Sequence, residues 1–122
     1  MPRVVHFEVP AKDLKKIADF YTNAFGWKIE QTEFSDYWLA LSGEKNDLGI
    51  NGAIYKIDEK KDKVINIIGV GNIEEAIEKV KNNGGEMTSD IMEVPKVGRM
   101  AYFKDPEGTM FGMIQPDPES MP

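Results

Sequence analysis

One half of the chain recurs against the other at an offset of 59 residues, and this repeat constrains the fold more than any other feature. In the first copy VVHFEV (4–9) alternates weakly and is bounded by Pro10, so it reads as a strand. Asp13 is placed to cap a helix whose apolar stripe is Leu14, Ile17, Ala18, Tyr21, Ala24 and Phe25, and Gly26 stops it. WKIEQTEF, YWLALS and INGAIYK then read as three strands, with the polar loop GEKNDLG between the last two. Adding 59 carries Asp13 onto Asn72, Leu14 onto Ile73, Ala18 onto Ile77, Tyr21 onto Val80, Gly26 onto Gly85 and Gly49 onto Gly108. Glu75 stands three residues beyond Asn72, the spacing of a capping box. EMTSDIMEV and GRMAYF supply the middle strands of the second copy.

A strand, a helix and three strands therefore occur twice. Two copies at this period predict two modules and not a solenoid. The reading places module one at about 3–56, a linker at 57–63 within KIDEKKDK, module two at about 64–115, and a frayed PDPESMP tail at 116–122. Together they make a single domain over 1–122, which suits the size of the chain. The fold class is α+β. A four-stranded sheet covered by one helix leaves its other face bare, and two such sheets related by a pseudo-two-fold axis bury that face or leave a cleft.

Composition removes several chemistries. The absence of cysteine eliminates disulfides, thiolate nucleophiles and sulfur metal ligands, and permits a reducing cytoplasm. A net charge of −6 without a basic stripe argues against a nucleic-acid partner. There is no leader-like segment, and no apolar run approaches the ~18 residues of a membrane span. A cytoplasmic location follows as an expectation.

Three motifs carry a family resemblance: H-F-E-V-P-x-x-D-x-x-x-x-x-x-F-Y-x-x-x-F-G-W from His6, G-V-x-N-I-E-E-A-I-E-K-V-K-x-x-G-G from Gly69, and Y-F-K-D-P-E-G-T from Tyr102. Together they resemble the vicinal oxygen chelate superfamily, which includes glyoxalase I, extradiol dioxygenases, and the bleomycin and fosfomycin resistance proteins. The resemblance covers residues 3–115. It implies paired βαβββ modules whose mixed sheets curl into a U-shaped cleft, helices outside. In the group's metal enzymes it further implies ligands from the first and last strands of each module, with the metal acting as a Lewis acid.

Mapped onto this chain, those four ligand positions read His6, Ala53, Ile65 and Gly112. A divalent cation in an N/O site needs about three protein ligands, and one of these four residues can ligate. Glu8 and Asn51, two residues from His6 and Ala53, are substitutes in principle, and His6 with Glu8 is the pair that would attract a loosely held ion. No metal and no cofactor are predicted.

His6, the only histidine, is either a hydrogen-bonded strand residue or a cleft residue that contacts a ligand or serves as a general base. An aromatic-lined cleft would draw on His6, Glu8, Trp38, Asn51, Tyr55, Arg99, Tyr102 and Met110, with His6 and Glu8 the candidate catalytic pair. Arg99 also has an ordinary reading as an ion-pair partner of Glu8 or Glu93. Lys104–Gly108 reads as a turn and not a catalytic motif. The leading expectation is a metal-free protein of bleomycin-resistance type that binds a small organic molecule. The alternatives are a glyoxalase-type lyase or isomerase, metal-free or with an unorthodox site at His6 and Glu8, and a subunit whose cleft is filled by its own side chains. Uncovered sheet edges predict a homodimer joined near the first strands.

Overall fold

A computed structural model describes residues 2–33, 36–59, 63–95 and 97–118. The chain divides by contact into two compact units, His6–Val64 and Met1–Val5 with Ile65–Pro122. The first unit runs β1 (Arg3–Ala11, of which Arg3–Val5 fall in the second unit), α1 (Leu14–Phe25), β2 (Lys28–Gln31), β3 (Tyr37–Leu41) and β4 (Gly52–Lys56). Its strands lie in the order β2-β3-β4-β1, with β1 parallel to β4 and the other pairs antiparallel. The second runs β5 (Ile65–Gly69), α2 (Ile73–Asn82), β6 (Glu86–Met87), β7 (Met92–Val94), β8 (Gly98–Lys104) and β9 (Met110–Pro116). Here the order is β5-β9-β8-β6, β7 also pairs with β8, and β5 is parallel to β9. Each unit is thus a βαβββ module with a mixed sheet, as the repeat requires. Among the described residues, no helix is long and apolar enough to cross a membrane.

The helices begin where their caps dictate. Asp13 accepts a hydrogen bond from the Lys16 amide and Asn72 from the Glu75 amide, at 3.1 and 3.0 Å. Each helix then covers one face of its own sheet. Leu14 and Ala18 pack with Ala11 and Ile54, backed by Val9, Ile29 and Trp38. Ile73 packs with Ala101 and Met113, backed by Ile77, Val80 and Phe103.

Four local expectations shift. The first strand does not stop at Pro10 but continues to Ala11, because proline's fixed φ suits extended backbone. The stripe on α1 fades at its end, where Ala24 is exposed and Phe25 is 67% exposed, its ring joining those of Phe20, Tyr21 and Trp27. Gly26 takes the left-handed position after α1, but the second helix uses Gly84 at φ 90°, one residue before the repeat's Gly85. The EMTSDIMEV strand splits into β6 and β7, and Ser89 between them accepts from the Tyr102 amide at 2.9 Å. Phe34 of the WKIEQTEF strand and Ser35 after it, Lys60, Lys61 and Asp62 of the linker, and residues 119–122 of the tail lie outside the described residues.

The caps give a direct test. Asp13→Ala and Asn72→Ala should each lower the unfolding free energy by about 1 kcal/mol. The double variant should lose close to the sum in urea titrations, since the two caps share no partner.

Candidate functional site

Pairing decides which side chains share a face. In the first unit Glu8 stands opposite Ala53, and Ala53 opposite Leu39, so these three form one row across β1, β4 and β3. Strand alternation then puts His6, Glu8, Ala53, Tyr55, Tyr37 and Leu39 on the face away from α1. Val9, Ala11, Ile54 and Trp38 occupy the helix face. His6, Glu8 and Tyr55 therefore share this face.

His6 Nε2 lies 2.8 Å from the Tyr37 hydroxyl, and the two rings stack at 20° with centroids 6.5 Å apart. The two residues sit on strands separated by β4, where Ala53 presents only a methyl group. That leaves the room a tyrosine needs to reach across. His6 is 8% exposed and Glu8 1% exposed. Burial pushes the imidazole down to about 4 from its ordinary value near 6.5, so His6 is neutral at neutral pH. Burial raises the Tyr55 hydroxyl, and the Glu8 charge raises it further, which keeps Tyr55 protonated as a donor.

Other expected members lie elsewhere. Trp38 packs under α1, one residue out of phase with the His6 face. Tyr37 is the β3 aromatic on that face. The YW pair carries the signal for it, but only pairing with β4 resolves which of two adjacent aromatics points which way. Asn51 precedes β4, and its side-chain oxygen accepts from the Ser42 amide at 2.9 Å, closing the loop between β3 and β4. Arg99 alternates onto the helix side of the second sheet and donates to both carboxylate oxygens of Glu74 on α2, at 3.1 and 2.5 Å. Glu93 is a further partner at 3.8 Å. The paired guanidinium holds Glu74 below the usual carboxylate range. Arg99 is thus a structural ion-pair residue with partners other than Glu8. Tyr102 and Met110 share the opposite face of the second sheet with Ile67 and Gly112.

At the strand positions where the resemblance places metal ligands, the residues present do not fit a metal. Ala53 has no ligating atom, and the one imidazole at these positions is hydrogen-bonded to a phenol. At Gly112 a β-carbon would fall 2.5 Å from Ile67 Cδ1 and 3.2 Å from the Tyr102 ring. Among the described residues, no three His, Asp or Glu side chains are grouped to hold a metal.

Comparison with known proteins follows the geometry. The family model described as the Glyoxalase/Bleomycin resistance protein/Dioxygenase superfamily matches residues 3–113. A glyoxylase-like domain-containing protein of Didymella fabae is 30% identical over 107 aligned residues, covering 83% of this chain and 84% of that protein. A lactoylglutathione lyase of Escherichia coli O157:H7 is 29% identical over 125 aligned positions, covering 93% and 92%. Among solved structures, a Streptomyces coelicolor methylmalonyl-CoA epimerase in complex with 2-nitronate-propionyl-CoA superposes with a TM-score of 0.70 at 14% identity, covering 100% and 99%. That likeness is one of fold.

The depressed His6 imidazole has a stability consequence. Between pH 6.5 and about 4 the unfolded chain takes up a proton that the folded chain refuses, so acidification through that window removes stability. The loss approaches roughly 3 kcal/mol. His6→Gln has no such proton. Its stability deficit relative to the wild type should therefore shrink by about 2–3 kcal/mol between pH 7 and 4.5 in urea titrations at the two pH values.

Proposed function

The chain belongs to the glyoxalase/bleomycin resistance protein/dioxygenase superfamily, and from that premise we propose that it binds a small organic molecule without a metal, through the polar face of the first unit. The observation that carries this reading is the His6–Tyr37 pair. It turns the one surviving ligand-type residue into part of a hydrogen-bonding surface. Tyr37 and Tyr55 offer ring faces with hydroxyl handles, the combination that suits flat organic molecules carrying one or two polar groups. Glu8 adds a buried carboxylate that favours a donor or a cationic group on the ligand.

A second reading, a metal-free lyase or isomerase, is favoured by one observation: relatives about as similar as any here are lactoylglutathione lyases. In that case Glu8 is the group that moves the proton. His6 is held too far down to accept one readily at neutral pH. We also propose a homodimer, because β2 and β6 are open sheet edges in their units and a symmetric partner removes such a liability.

A thermal-shift panel of apolar and cationic aromatic compounds separates these readings from their failure. A true ligand at ~100 times its Kd should stabilise by about 2.7 kcal/mol. Tyr37→Phe should weaken that ligand roughly tenfold by removing one hydroxyl contact. Uniformly flat melting curves across the panel would defeat the binding reading. Lactoylglutathione lyase turnover, assayed with added nickel, zinc, cobalt or manganese, should not rise above buffer, and a metal-dependent rate would overturn the metal-free assignment. Light scattering after size exclusion should give twice the 13.8 kDa chain mass.

A further inference from the structure

The second unit repeats the row geometry of the first with different chemistry. Glu8 pairs with Ala53 and Ile67 with Gly112, each partner displaced by the same 59 residues (8 + 59 = 67; 53 + 59 = 112). On the other side Ala53 faces Leu39, whereas Gly112 faces Tyr102. The first row thus reads glutamate, alanine, leucine and the second isoleucine, glycine, tyrosine. Ile67 is fully buried. Its Cδ1 and the Cδ1 and Cε1 atoms of Tyr102 converge on the point where a side chain at 112 would begin, at 2.5, 3.2 and 3.2 Å. Contacts below about 3 Å between carbon atoms lie well inside the optimum of 3.5–4.0 Å. Gly112 has no positive-φ requirement that would explain a glycine there. Within a strand, glycine costs stability through backbone freedom unless something needs the missing side chain.

We infer that Ile67 and Tyr102 form a steric lock that keeps residue 112 a glycine, so that this position of the second unit is closed by packing to any ligating side chain. The edge of the Tyr102 ring and the Ile67 Cδ1 atom border the space beside the glycine. A side chain at 112 therefore requires Ile67 to withdraw its Cδ1 atom and the Tyr102 ring to give by a few tenths of an ångström, and Ile67 is itself fully buried. This inference is independent of what the first unit binds.

A double-mutant cycle on the full chain tests it: Gly112→Ala, Ile67→Val and the pair, each by urea unfolding. Valine lacks the Cδ1 atom that makes the closest contact. Gly112→Ala should reduce the folding equilibrium constant by about tenfold or more in the wild-type background, a cost typical of overpacking. In the Ile67→Val background the same substitution should cost several-fold less. Equal costs in both backgrounds, or a Gly112→Ala variant as stable as wild type, overturn the lock. Gly112→Glu gives the second readout, with nickel and zinc content measured after dialysis. Destabilisation without retained metal is expected. A Gly112→Glu chain as stable as wild type, or one that retains an equivalent of either metal, overturns the inference; if that variant fails to fold, the alanine cycle still decides.

Discussion

The alternation of strand β1 governs the chemistry of the first unit. A single helix must bury one side of a four-stranded sheet, and the apolar residues Val9 and Ala11 meet that demand by packing with Leu14, Ala18 and Ile54. Residues of the opposite parity, His6 and Glu8, are thereby placed together on the other face. Their burial then dictates their behaviour. An imidazole at 8% exposure stays neutral, and a hydroxyl near a buried carboxylate stays protonated. A slip of one residue in the pairing of β1 with β4 would exchange the two faces, putting valine where histidine stands.

Much of this was legible because the repeat states it twice. Asp13 and Asn72 cap their helices at equivalent positions, and the parallel pairs Glu8–Ala53 and Ile67–Gly112 stand 59 residues apart. The offset fails where the two copies differ in length. Leu39 and Tyr102 are equivalent row members at an offset of 63 (102 − 39), because the loop at 42–51 before β4 is longer than the turn at 105–109 before β9. A constant offset therefore could not identify Tyr102 as the residue over Gly112. The same limit explains Trp38 and Tyr37. Composition shows two adjacent aromatics on a strand, and only the cross-strand partner says which one faces His6. The Arg99–Glu74 pair joins residues 25 apart in a strand and a helix, a contact that no local pattern encodes.

The membership of the chain in its superfamily fixes the fold without fixing the chemistry, since function resides in the side chains grafted onto the strands. The equivalent rows of the two units show how far such grafting has gone here. In the first unit the row across the sheet holds Ala53, and His6 and Tyr37 meet in a hydrogen bond from the strands on either side of it. In the second, Gly112 is bordered by Ile67 and Tyr102, which occupy the space a side chain there would use. The equivalent rows of the two units therefore differ physically, the first unit carrying a histidine engaged in a hydrogen bond and the second a glycine enclosed by packing.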